Sequence, residues 1–146
     1  NFVLIIFPCM KDQLDEQLNK RNIKPTAMRE LVLEILNQQT TAISLADIEQ
    51  KFAKVDRVTL YRTLKTFEDN NLIHHIDDGT GSIKYALCTE NCECLPQDLH
   101  VHFLCIRCNQ TYCLNEIPVP TVNLPVNFDL ESISMVVKGV CANCRS

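Results

Sequence analysis

The chain has 146 residues, 46% hydrophobic and 22% charged, with three glycines. That composition fits one globular domain or two small ones and excludes a disordered or fibrous chain. The longest apolar run, Phe2 to Pro8, is too short to span a bilayer and lacks a following small-residue cleavage site. A cytoplasmic protein without a membrane partner is expected. The net charge of −4 excludes a uniformly basic surface but leaves room for a local basic patch.

Asn1 is no natural start and Met10 opens an amphipathic stretch, so residues 1–9 are expected to be non-native and stand outside the fold. After Lys24-Pro25-Thr26, Met28, Leu31, Val32, Ile35 and Leu36 form one stripe of a 3.6-period helix. Ser44-x-x-Asp47 reads as a capping box opening a short second helix with Leu45, Ile48 and Phe52 on one face. Asp56 caps a third, with Leu60, Leu64 and Phe67 inside, Arg57, Arg62 and Lys65 outside, and Asn70-Asn71 at its end. Strands over 72–77 and 82–87 flank an Asp78-Gly79 turn. Helices followed by a two-stranded ribbon make a winged helix-turn-helix.

A polar, cysteine-bearing stretch to Asp98 follows, and then strands over 100–105, 111–117 and 133–139, with Pro118, Pro120 and Pro125 in the last connection. The fold class is α+β. A winged-helix domain over 10–87, a hinge over 88–99 and a small α/β domain over 100–146 are expected.

Cysteine divides the chain the same way: none of the nine lies between Cys9 and Cys88. Without an export signal they point to metal ligands or redox thiols rather than disulfides. Cys105-Ile-Arg-Cys108 and Cys141-Ala-Asn-Cys144 give four thiolates in two knuckles, a closed tetrahedral set suited to structural zinc. The segment between the pairs must fold back to bring them together. Neither pair has the strand-to-helix setting of a redox Cys-x-x-Cys.

His100 and His102, spaced i, i+2 on a strand, face one way and can converge on a second ion. His74 or His75 at the start of the wing and Cys88 at its end are candidates for the remaining places, with Cys92, Cys94 and Cys113 as alternative thiolates. A site drawn from both domains locks their orientation only when metal is bound. Thiolate with imidazole favours zinc over iron(II) or manganese.

These stretches resemble the ferric uptake regulator superfamily of bacterial repressors from about Asn22 to Arg145: Asn22-Ile-Lys-Pro-Thr-Ala-Met-Arg29, Val58-Thr-Leu-Tyr-Arg-Thr-Leu64, His100-x-His102-x-x-Cys105-x-x-Cys108, and Gly139-Val-Cys-Ala-Asn-Cys-Arg145. The resemblance implies a homodimer, joined through the cysteine-rich domain, that binds a near-palindromic operator in double-stranded DNA. Tyr61 and Arg62 on the recognition helix and Lys24 at the adjacent minor groove are the implied contacts, with Arg57 and Thr59 beside them. Tyr85-Ala86 lacks the glutamate usual in iron regulators, and Thr41-Ala42 lacks their histidine. Leu72-Ile-His74 with Tyr85-Ala-Leu-Cys88 is instead similar to the zinc uptake regulator branch, which implies a regulatory zinc on His74, Cys88, His100 and His102. Cys113 falls where many members carry Glu. Two zinc ions per chain and no small-molecule substrate follow from this reading.

An iron or peroxide sensor of the same superfamily is the nearest rival and needs oxygen-rich ligands. A zinc hydrolase or deaminase is more distant: Glu90, Glu93 and Asp98 are the only nearby carboxylates, and no helical His-Glu-x-x-His or His-x-Glu context exists. An enzyme is not expected. A redox switch through Cys88, Cys92 and Cys94 is a further alternative.

Overall fold

A computed structural model describes residues 8–93 and 99–145, with side chains from Met10 onward. Four helices and a three-stranded sheet form the N-terminal part, and a second three-stranded sheet forms the C-terminal part.

The first helix, α1 (Pro8–Lys20), begins inside the stretch expected to stand outside the fold. It buries Leu14 and Leu18, four residues apart, against α2 (Ala27–Asn37), while Lys20 and Glu16 pair on its outer face. Thr26 caps α2 by accepting from the Arg29 amide. The buried face of α2 differs from the expected stripe: Leu33 is fully buried while Met28 and Ile35 are only partly so. The helix lies between α1 on one side and α4 on the other, so its buried arc is wider than a single stripe.

Ser44 and Asp47 form the expected capping box at α3 (Leu45–Gln50), burying Ile48. Asp56 accepts from the Val58 and Thr59 amides to cap α4 (Arg57–Asp69), whose Leu60, Leu64 and Phe67 are fully buried. Asn71, at φ 57, turns the chain out of this helix into the wing. The wing has three strands rather than two: β1 (Ile43–Ser44) and β2 (Ile73–Ile76) both pair antiparallel with β3 (Lys84–Leu87). β2 and β3 are shorter than the expected strands over 72–77 and 82–87, and Asp78, expected in the turn, is 1% exposed.

In the second part β4 (His100–Cys105) is central, with β5 (Thr111–Pro118) antiparallel on one side and β6 (Val136–Gly139) parallel on the other. Its described helical content is one 3-10 turn, Ala142–Cys144. The parallel pairing sets Gly139 beside Cys105, which delivers Cys141 to the first knuckle across the long intervening segment. Gly139 packs closely there: a Cβ would lie 3.0 Å from the Phe103 ring, so a larger residue would push that ring aside. Arg21, after α1, donates to the Thr89, Glu90 and Cys92 carbonyls at 2.9, 3.0 and 2.8 Å and ties down the stretch after β3.

Candidate metal centres and DNA-facing helix

Cys105, Cys108, Cys141 and Cys144 converge, their sulfurs all within 4.8 Å of one another. Each knuckle is shaped by its backbone. The Asn109 amide donates to the Cys105 carbonyl at 2.9 Å, and the Cys144 amide to the Cys141 carbonyl at 3.0 Å. The knuckles are joined by the Ile106 amide on the Gly139 carbonyl at 2.8 Å and by Arg107 Nη1 on the Cys144 carbonyl at 2.7 Å. Amides of Cys108 and Cys141 directed at the Cys105 sulfur lower its pKa and favour its thiolate. Cys108 and Cys141 sulfurs lie 3.8 Å apart. A tetrahedral zinc with Zn–S near 2.3 Å demands an S–S edge of about 3.8 Å.

The second cluster joins the two parts of the molecule. His74 on β2, His100 and His102 on β4 and Cys113 on β5 bring one donor atom each within 4.8 Å of all the others. His74 Nε2 lies 3.3 Å from His102 Nε2 and 3.6 Å from Cys113 Sγ. Zn–N distances near 2.05 Å give tetrahedral edges of about 3.3 Å between nitrogens and about 3.6 Å between nitrogen and sulfur. The donor set therefore fits a small tetrahedral ion.

Burial, reinforced by His100 and His102, lowers His74 to about 3, and burial with His100 beside it lowers His102 to about 4. Both rings are neutral at physiological pH with a lone pair to offer. Burial pushes the Cys113 thiol up to about 11, so it gives up its proton only to a cation.

Of the four ligands expected for this site, three meet in the cluster. Cys88 lies outside it, 3.5 Å from Nδ1 of His74, the ring nitrogen not engaged by Cys113 and His102. Cys113, unassigned by the sequence, takes the fourth place. The sequence held it only as a spare thiol, and the β4–β5 register pairs it with His102. His75 is exposed and pairs with Glu68. Cys92 is half-buried on the stretch held by Arg21, and Cys94 lies outside the described residues.

On α4 the side chains expected to face DNA point outward. Tyr61 is 53% exposed, as is Val58, on the face of the helix opposite its buried Leu60, Leu64 and Phe67. Arg62 and Lys24 are exposed, Arg57 pairs with Glu49 of α3, and the Thr59 hydroxyl donates to Asp56 at 2.8 Å.

The ferric uptake regulator family model matches residues 20–137. The chain belongs to the ferric uptake regulator family. It is thus a metal-responsive DNA-binding regulator and not an enzyme. The ferric uptake regulation protein of Bordetella parapertussis is 25% identical over 145 residues, covering 93% of this chain and 98% of that one. Its counterpart in Bacillus subtilis is 22% identical over 143 residues, covering 92% and 93%. Among solved structures, a zinc uptake regulator complexed with zinc and DNA has a TM-score of 0.67 at 22% identity, over 92% of each chain. The Vibrio cholerae ferric uptake regulator has a TM-score of 0.58 at 21% identity, over 87% of this chain and 98% of that one. Among the described residues no helix is long and apolar enough to cross a membrane.

Proposed function

We propose that this chain is a zinc-responsive repressor of metal-homeostasis genes in the bacterial cytoplasm, acting as a homodimer on a near-palindromic operator. It holds two zinc ions: a structural ion on Cys105, Cys108, Cys141 and Cys144, and a regulatory ion on His74, His100, His102 and Cys113. One observation carries this reading. The cluster of His74 from the wing with His100, His102 and Cys113 from the second sheet holds three imidazoles and a thiol and no carboxylate. Soft and borderline donors select zinc over iron(II) and manganese, which favour oxygen.

Because His74 comes from the wing and the other three donors from the second sheet, metal there fixes how the winged helices are presented and couples zinc to DNA affinity. Tyr61 and Arg62 on α4 read the major groove, Arg57 and Thr59 lie at the start of that helix, and Lys24 reaches the adjacent backbone or minor groove. Met135 and Val137, exposed just before and on the edge strand β6, offer an apolar edge to the second copy.

The test is a gel shift on a duplex selected from a random pool by zinc-loaded protein, repeated after chelation and with iron(II) or manganese. Binding restored by zinc and not by the other two supports the reading. Activation by iron(II) or manganese alone, as the names of the ferric relatives suggest, replaces it with an iron sensor.

A further inference from the structure

The two parts of the molecule touch at a second place, built from residues that no metal site uses. Lys84 of β3 is 8% exposed, and its ammonium has three partners: Asp78 Oδ2 at 2.6 Å, the Asn109 carbonyl at 3.0 Å and Thr111 Oγ1 at 3.1 Å. Those three use every N–H it has. Asp78 is equally occupied. Its Oδ2 also accepts from the Thr111 hydroxyl at 2.6 Å, and its Oδ1 accepts from the Thr80 amide at 3.0 Å and hydroxyl at 2.5 Å. Around this buried core the Ala42 amide donates to the Thr111 carbonyl at 2.8 Å, and the Thr41 hydroxyl to Gln110 at 2.7 Å. Asp78, Thr80 and Lys84 belong to the wing and its loop; Asn109 and Thr111 directly follow the first cysteine knuckle.

A buried ion pair of this kind adds little net stability over an apolar contact, but it is selective about geometry, because a shift strands a charge without water. Its position makes that selectivity useful. Thr111 and Cys113 alternate along β5 and so face the same way, one toward Lys84 and the other toward His74. Contact at the metal cluster alone leaves the winged helix free to rotate about that point. A second fixed contact two residues along the same strand removes that freedom.

We infer that Asp78, Lys84 and Thr111 form a metal-independent anchor: they seat the wing on the turn after the structural knuckle and position His74 opposite Cys113, so that zinc closes a site the anchor has already aligned. The winged helix then pivots on this anchor when the regulatory ion leaves, rather than coming free. These are positioning residues, and the inference rests on the regulatory site proposed above.

The test uses the full-length dimer with its structural zinc retained. Paired replacement, Asp78→Leu with Lys84→Met, removes both charges and strands neither. DNA affinity is measured with the regulatory site filled and empty. Wild type should show a ratio of about 5–150-fold, the usual range for coupled sites. The double variant should fall below about twofold and bind regulatory zinc about tenfold more weakly, at unchanged structural-zinc content. A general loss of fold would lower both DNA affinities together and leave their ratio unmoved. A variant that binds operator as tightly as wild type and keeps the wild-type ratio overturns the anchor.

Hydrogen exchange of the wild-type Ala42 amide gives an answer without any variant. Equal protection with the regulatory site filled and empty supports the anchor, and protection lost on emptying overturns it. A wild-type protein whose DNA binding ignores zinc would defeat the zinc-sensor reading, and exchange at Ala42 would still decide the anchor.

Discussion

Cys88 Sγ lies 3.5 Å from Nδ1 of His74, while Nε2 of the same ring faces His102 and Cys113. One imidazole thus stands between two cysteines with different tasks. If Nε2 binds the ion, Nδ1 carries the proton and Cys88 accepts it, fixing the tautomer and the ring's orientation as outer partners of metal-bound histidines do.

Cys113→Ser should therefore abolish regulatory zinc binding, whereas Cys88→Ser should weaken it by about 10–100-fold. A competitive titration against a chelating dye, on protein with its cysteine site already loaded, separates the two. Complete loss in Cys88→Ser with near-normal binding in Cys113→Ser would return Cys88 to the ligand set.

The same site makes a pH prediction. Cys113 is a thiol pushed up to about 11, while His74 and His102, at about 3 and about 4, are already neutral above pH 7. Zinc must then displace one proton from the thiol and none from these rings. Between pH 7.5 and 8.5, regulatory-site affinity should rise about tenfold per pH unit, with about one proton released per ion. Calorimetry in buffers of different ionisation enthalpy measures this, and zero proton release would argue against Cys113 as a ligand.

For the exposed side of α4 proposed to face DNA, Tyr61→Ala and Arg62→Ala should each weaken operator binding by about 1–3 kcal/mol, and Lys24→Ala should reduce its salt dependence by about one ion. Tyr61 is 53% exposed, so its removal should change folding stability by less than about 0.5 kcal/mol. Fluorescence anisotropy on the selected duplex, paired with thermal melting, checks both. A large drop in melting temperature with DNA affinity unchanged would mean that Tyr61 packs rather than binds.

At the other metal site, Cys141→Ser should cost one zinc per chain and loosen the second sheet, because Cys141 is brought to Cys105 by β6 and its amide also donates to the Cys105 sulfur at 3.3 Å. Hydrogen exchange should show lost protection in β4 and β6 while α2 and α4 keep theirs. Unchanged protection in β4 and β6 would show that the sheet stands without the ion.

Much of this could be read from the sequence where the controlling physics is local. Thr26, Ser44 and Asp56 cap helices through bonds to amides within three residues, and the strand 100–105 stands where alternation put it. Pairing across sequence was harder. The third wing strand is two residues long, too short for alternation to reveal. The Asp78-Gly79 pair reads as a surface turn because the partners that draw Asp78 inward, Lys84 and Thr111, lie six and thirty-three residues away. Cys113 was visible as a spare thiol, and only the β4–β5 register showed that it opposes His102.

The central claim is that the regulatory ion, and not the structural one, controls DNA binding. The most direct measurement is operator affinity titrated against buffered free zinc, with metal content determined at each point. We predict that the first ion per chain binds with no gain in affinity and that DNA affinity rises as the second fills. Full operator affinity with one zinc per chain, unchanged by the second, would contradict the claim.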